Sequence, residues 1–249
     1  MNRRDTHQIG QLKWSREELK ASLEEFSKIY EQRPIKINNG GMKAPQIFFA
    51  WFVAKKLQPD LIVESGVWYG QGTWMFEQAA PKAKIYCLDP IPYYDKGYKS
   101  NKATYSSSDF LQIDWSTLDK SNSLCFFDDH QDALSRIVRC KQEGFNRIMF
   151  EDNYPLGQGD CYSLKKAFNE KDDKQVLPGL SVKDYLTHII DTYFEFPPVF
   201  SAEENRWGLP WNTYKVNEPL LTEVQQEYEK IYLEEFDQYT WINYVELKN

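Results

Sequence analysis

Between Leu61 and Glu151 short apolar runs alternate with helical segments, and this alternation constrains the fold more than any other feature of the chain. The runs are Leu61-Ile62-Val63, Lys84 to Asp89, a weaker stretch from Ala103 to Ser107, Ser123 to Asp128, and Arg147 to Glu151. Strands of this kind separated by helices are the pattern of βαβ units, which build a parallel sheet buried on both faces. The expected fold class is therefore α/β, a doubly wound, mostly parallel sheet with helices on both faces. Four of the five runs end in an acid or meet one within a few positions. Ligands of open parallel sheets bind beyond the carboxyl ends of the strands, so these acids are expected to converge on one rim.

The flanks read differently. Leu19, Leu23, Phe26 and Tyr30 recur at helical spacing within Trp14 to Tyr30, and Ser15 with Glu18 forms a candidate capping box. A loop follows from Arg33 to Pro45, marked by Asn38-Asn39-Gly40-Gly41 and placed to border a site. A second helix is predicted over Pro45 to Leu57. Beyond Phe168 the expectations are a mobile loop from Asn169 to Gln175 and a helix from Ser181 to Tyr193 capped by Ser181. An irregular Pro- and Trp-rich lid is expected from Phe196 to Pro219, then a helix from Glu218 to Phe236 and a closing strand from Thr240 to Val245. A chain of 249 residues fits one domain. Residues 1–45 read as a helical extension, 46–168 as a cofactor-binding core and 169–249 as a C-terminal cap with the last strands.

Composition excludes several classes of function. A net charge of −7 disfavours a nucleic-acid partner, because affinity for phosphate backbones rests on Lys and Arg. No stretch approaches the roughly 20 apolar residues of a membrane span, and Met1 to Asp5 leads into polar sequence, so a cytoplasmic protein is expected. Cys87, Cys125, Cys140 and Cys161 lack metal-site spacing and read as buried thiols. The aromatic content of 16% serves a core more readily than a ligand cleft.

The first run leads into Glu64-Ser65-Gly66-Val67-Trp68-Tyr69-Gly70-Gln71-Gly72, and the second ends in Asp89. A strand, an acid, a glycine turn and a helix suit a ligand with a cationic amino acid end and a ribose, since glycines admit close backbone approach and acids accept hydrogen bonds. The glycines fall at 66, 70 and 72, which is not the dinucleotide fingerprint G-x-G-x-x-G. The pattern E-x-G-x-x-x-G-x-G resembles motif I of the Rossmann-like S-adenosylmethionine-dependent methyltransferases. That resemblance implies a Rossmann-like sheet and S-adenosyl-L-methionine as cofactor. It further implies that Glu64 and Gly66 hold the methionine moiety, that Gly70 gives room beside it, and that Asp89 accepts the ribose hydroxyls. Ser108-Asp109-Phe110 resembles the segment that brackets the adenine. Trp68 and Tyr69 stand within the turn, where an aromatic face could meet the sulfonium or the substrate. Packing against the neighbouring helix is their alternative use.

The fourth and fifth runs lead into Asp128-Asp129-His130-Gln131-Asp132 and Glu151-Asp152-Asn153. Adjacent strands would bring Asp129, Glu151 and Asp152 together, and carboxylates so crowded call for a counter-charge, expected to be Mg2+ or another divalent cation. Such an ion could hold two substrate oxygens and acidify one. His130 is the candidate general base, with a hydrogen bond to Asp128 or a backbone carbonyl as its alternative. Asp129 joins it in the candidate catalytic set. Asp128 is placed with the cofactor residues, and it and Asp132 equally suit the capping of the next helix. These segments also resemble the metal-dependent sugar O-methyltransferases, the group of macrocin O-methyltransferase, and the family named for cephalosporin hydroxylase. In those families an Asp after the fourth strand and an acidic pair after the fifth bind the metal, matched here by Asp129 and Glu151-Asp152. The chain departs from the pattern in Glu151, which stands for an Asp, and in Asn153. The resemblance spans roughly residues 46–168.

The expected activity is a cation-assisted O-methyl transfer to a hydroxyl of a sugar or glycan. A non-sugar small molecule, a phosphorylated intermediate or an amine is the alternative acceptor, and a catalytically inactive binding protein of this fold is a third reading. The resemblance implies a homodimer.

Overall fold

The computed structural model describes residues 7–200, 216–221, 228, 231 and 239–248. The capping box is present: the Ser15 hydroxyl accepts from the Glu18 amide at 3.2 Å and the Glu18 carboxylate accepts from the Ser15 amide at 2.7 Å. It starts α1 (Arg16–Tyr30), whose Phe26 ring packs 5.2 Å from Phe48 and 5.7 Å from Trp51 of α2 (Ala44–Leu57). Covered in this way, α2 is buried without a break from Ala44 to Ala54.

The alternating segment folds as expected. In chain order it forms β1 (Leu61–Ser65), α3 (Gln71–Ala79), β2 (Lys84–Leu88), β3 (Thr104–Ser106), β4 (Ser123–Phe127), α4 (Ala133–Glu143) and β5 (Arg147–Phe150). A short helix α5 (Leu164–Ala167), a hairpin of β6 (Gln175–Leu177) and β7 (Leu180–Ser181), α6 (Val182–Ile189), β8 (Ile190–Glu195) and β9 (Asn243–Leu247) follow. The seven-stranded sheet has the order β3-β2-β1-β4-β5-β9-β8. Its first five strands are parallel, and β9 runs antiparallel to both of its neighbours, β5 and β8. Alternate side chains feed separate apolar layers. From β4, Leu124 and Phe126 join Phe48, Trp51 and Phe76 on one face, while Cys125 and Phe127 join Phe110, Trp115 and Phe145 on the other. The Rossmann-like, doubly wound class read from the sequence is the fold observed.

The C-terminal third departs from expectation. The helix predicted over Ser181 to Tyr193 stops at Ile189, and Ile190 to Glu195 pair with β9 instead. Ser181 does cap the helix, accepting from the Asp184 amide at 3.0 Å. The β-branched and aromatic run Ile190 to Phe194 gains a ladder in the sheet that outweighs its helical spacing. The closing strand begins at Asn243, not Thr240, because the Ile242 amide folds back on the Thr240 carbonyl at 3.0 Å. Most of the predicted lid and of the helix from Glu218 to Phe236 lies outside the described residues. All four cysteines are free and buried. Among the described residues no helix is long and apolar enough to cross a membrane.

A buried ion pair ties α5 to β8. The Lys165 ammonium meets the Glu195 carboxylate, both nearly inaccessible, and the Tyr193 hydroxyl donates to Glu195 Oε1 at 2.7 Å. Removing one member of such a pair strands the other's charge in the interior. Glu195→Gln is expected to lower the unfolding free energy by about 3–5 kcal/mol in a urea titration, whereas Glu25→Gln, which breaks the exposed pair with Lys55, leaves it nearly unchanged.

Candidate functional site

Because β2 and β4 flank β1, the sheet order runs outward from β1 on both sides and a crevice opens at its carboxyl end. A cavity of about 450 Å³ lies there, walled by the ends of β1 to β4 and closed on one side by Gly40 and Gly41 of the loop predicted to border a site.

The glycine turn owes its composition to close approaches. A side chain on Gly66, at φ +90°, would put its Cβ 1.9 Å from the Asp128 carbonyl oxygen, and the Gly66 amide donates to the Leu88 carbonyl at 2.9 Å. Gly70, at φ +86°, meets the Tyr98 carbonyl equally closely, and a Cβ on Gly72 would lie 2.1 Å from Glu64 Oε1. Trp68 takes φ +52° and His130 φ +54°, and both line the cavity. Non-glycine residues in this region are strained, and such strain concentrates at functional sites.

Asp89 faces this turn. Its Oδ2 accepts from the amides of Val67 and Trp68, each at 2.9 Å, and its Oδ1 from the amide of Ile91 at 2.9 Å. The carboxylate stays on the cavity wall with acceptor capacity remaining on Oδ1. Ser108 and Asp109 form the opposite wall. The Trp68 indole donates to the Asn39 carbonyl at 2.9 Å and stands 4.7 Å from the Tyr93 ring, which brings the 38–43 loop over the turn.

Four residues expected at the cofactor do not line the cavity. Phe110 is fully buried in the cluster of Trp115, Phe127 and Phe145, Tyr69 meets Trp68 edge-on and Tyr93 at a tilt, and Gly70 packs on Tyr98. Glu64 is wholly buried beneath Gly72, where it accepts from the Thr73 hydroxyl at 2.5 Å. Burial, with Asp89 and Glu77 adding repulsion, pushes its pKa up to about 8. Its Oε1 has no hydrogen-bond partner among the described residues, nor does either end of the buried Gln71 amide at the first turn of α3. These orphaned atoms beside a helix N-terminus fit a ligand that carries both an amino and a carboxylate group.

The acids of the rim are sorted by their partners. Asp129 Oδ2 accepts from the Ser65 hydroxyl at 2.6 Å and lies 2.9 Å from Nη2 of Arg136. Glu151 turns toward Thr240, whose hydroxyl donates to it at 2.9 Å and itself accepts from Gln46 at 2.8 Å. Of the expected trio, Glu151 and Asp152 are neighbours, while Asp129 is held by Arg136. Asp152 also lies with Asp128 and His130, whose candidate ligand atoms all fall within 4.8 Å of one another. Asp152 is 6% exposed, its Oδ2 accepts from the His130 amide at 3.0 Å, and its Oδ1 has no hydrogen-bond partner among the described residues. Burial and the neighbouring Glu151 push its pKa up to about 8, a cost that a cation beside it would remove. Asn153 is not available to an ion: its Nδ2 donates to the Tyr193 hydroxyl at 3.0 Å and its Oδ1 accepts from the Lys165 amide at 2.9 Å. The His130 ring, half exposed, places Nδ1 2.9 Å from Asp160 and 3.6 Å from Asp152 Oδ1. Burial disfavours its charged form, but Asp152, Asp160 and Glu151 outweigh that, so its pKa is raised. Asp132 caps α4, accepting from the Ser135 amide at 3.0 Å.

Sequence reasoning missed Arg136, which belongs to no motif. The signal was present in α4, where Ala133, Arg136, Ile137 and Cys140 form one buried stripe with an arginine in it.

No protein-family model and no curated protein sequence matches the chain. Among solved structures it is similar to a methyltransferase of Podospora anserina bound to S-adenosylhomocysteine, at 13% identity over 98% of this chain and 91% of that one, with a TM-score of 0.47. It is also similar to an O-methyltransferase of Bacillus cereus in complex with the same compound, at 14% identity over 57% and 68% of the two chains, with a TM-score of 0.40. Identities and scores this low assign no activity to the chain.

Two substitutions test this geometry. Gly66→Ala must move the Asp128 backbone or leave the αL region, so it is expected to lower affinity for a ligand of this cavity at least tenfold, as read by calorimetry. Glu64 holds a proton in the folded chain between its ordinary value of 4.5 and about 8 that the unfolded chain releases. Stability therefore falls as pH rises through that window, by up to ~1.4 kcal/mol per pH unit. Glu64→Gln is expected to flatten the slope measured by denaturant titration between about pH 5 and 8, and an unchanged slope would mean that the buried acid is ionised throughout.

Proposed function

We propose that the chain is an S-adenosylmethionine-dependent O-methyltransferase assisted by a divalent cation such as Mg2+. The observation that carries this reading is the cavity at β1, where a tight glycine turn, an aspartate poised for a diol and an acidic cluster with an orphaned buried carboxylate oxygen share one crevice. Asp89 is the group for the ribose hydroxyls, Ser108 and Asp109 border the base, and the Gly66 backbone with the Gln71 amide and Glu64 receives the amino acid end. When bound, the cofactor supplies a methyl group on a cationic sulfur for in-line transfer to a nucleophile.

Asp128 and Asp152 are the cation ligands of this reading, with His130 at their side. The ion would act as a Lewis acid toward the acceptor hydroxyl. His130 takes the proton released from that hydroxyl, and the Asp160 carboxylate at 2.9 Å steadies the imidazolium that forms. Gly40 and Gly41 border the cavity on the loop that the Trp68 indole holds through the Asn39 carbonyl. A sugar or glycan hydroxyl as acceptor rests on the sequence resemblance to the sugar O-methyltransferases alone, and a non-sugar small molecule is the alternative acceptor.

The test is release of S-adenosylhomocysteine across a panel of nucleotide sugars, glycans and small hydroxylated compounds, beside calorimetry with S-adenosylmethionine. Cofactor binding with turnover on one acceptor class is expected, and absence of binding at sub-millimolar ligand would remove the proposal. EDTA is expected to abolish turnover and Mg2+ to restore it. His130→Ala is expected to lower kcat by roughly 10²–10⁴ while S-adenosylhomocysteine affinity changes less than threefold.

A further inference from the structure

The turn after β1 carries a tryptophan where turn chemistry asks for glycine. The Gly70 amide closes the turn on the Val67 carbonyl at 2.8 Å, which makes Trp68 and Tyr69 its two central residues, and Trp68 takes φ +52°. A positive φ at the first central position is the mark of the primed turns, which glycine, asparagine or aspartate supply, and a bulky aromatic there is strained. The segment has glycine at 66, 70 and 72 yet tryptophan at 68. Strain of this kind persists only where the surroundings over-determine it. Here the surroundings act from three directions. The Trp68 amide, with that of Val67, donates to Asp89 Oδ2 at 2.9 Å, and the indole N–H donates to the Asn39 carbonyl at 2.9 Å. Gly40, at φ +80°, lies so close that a Cβ there would stand 3.3 Å from Cζ2 of the indole, and the Tyr93 ring meets the indole edge-on at 4.7 Å. One residue therefore touches Asp89 through its backbone and the loop that borders the cavity through its side chain, and it lines the cavity itself.

We infer that Trp68 is a positioning residue that retains the cofactor: it ties the loop at Asn39 and Gly40 to the turn that orients Asp89, so that the bond from the indole to Asn39 must open before the ligand leaves. This rests on the cofactor reading given above. The two amides on Oδ2 fix the plane of the Asp89 carboxylate, and the strain at residue 68 is the cost of carrying on that same turn a side chain long enough to reach the loop. A phenylalanine at this position keeps a ring and loses the donor. A glycine relaxes the turn and loses both. The two changes separate a latch from a packing residue, because they move fold stability and ligand retention in different directions.

Association and dissociation of S-adenosylhomocysteine, followed by surface plasmon resonance on the full chain and its variants, test the inference without any turnover. Trp68→Phe is expected to raise koff at least fivefold with kon within twofold, since loss of a retaining contact acts on release. Trp68→Gly is expected to raise koff at least tenfold while the urea midpoint of the ligand-free chain stays level or rises. Gly40→Ala, which crowds the indole from the loop side, is expected to raise koff severalfold, and it decides alone should the Trp68 variants not fold. A koff in Trp68→Phe equal to that of the parent, or a midpoint in Trp68→Gly that falls as release quickens, marks a tryptophan that only packs, and overturns the inference while sparing the cofactor reading. Absence of S-adenosylhomocysteine binding to the parent chain overturns both.

Discussion

The contact between the α-carbon of Gly66 and the carbonyl of Asp128 is the constraint on which the rest of the site depends. It lets the turn after β1 close against the end of β4, where the order of the parallel strands reverses. With any side chain at residue 66 the two strand ends would separate, and the turn, the cavity and the acids beyond β4 would lose their common origin. Gly72 repeats the device six residues later, seating α3 directly on Glu64. The glycines thus act between protein segments first, and a ligand profits from the crevice they create.

Charge is arranged around that crevice by burial rather than by number. Glu64 and Asp152 lie so deep that both favour the neutral form, while the hydrogen bonds from Arg136 hold Asp109 below its ordinary value. A rim that looks uniformly anionic in the sequence is therefore divided into acids that favour the neutral form and a pair bound by one arginine. A carboxylate kept neutral by its surroundings is a group that a cation can recharge, and one already paired with a buried guanidinium is not.

The sheet was legible because periodicity reports directly on strands buried on both faces, and β1, β2, β4 and β5 fall where the apolar runs stand. The glycine turn and Asp89 were legible because close approach leaves a compositional mark. The pairing of Asp109 and Asp129 through one guanidinium was not, since Arg136 is supplied from inside α4 and no motif marks it. Phe110 misled for a related reason: sequence places it beside Asp109, yet its ring faces the apolar layer below the sheet. Ile190 to Phe194 carried two periodicities, and pairing with β9, more than fifty residues on, chose between them.

The central claim is that the crevice at β1 is a cofactor site for S-adenosylmethionine. Crystals grown with S-adenosylhomocysteine test it most directly. The account predicts difference density for the ribose against Asp89 and for the base beside Ser108 and Asp109. Density for the compound at any other place in the chain, with this crevice filled only by water, would contradict it.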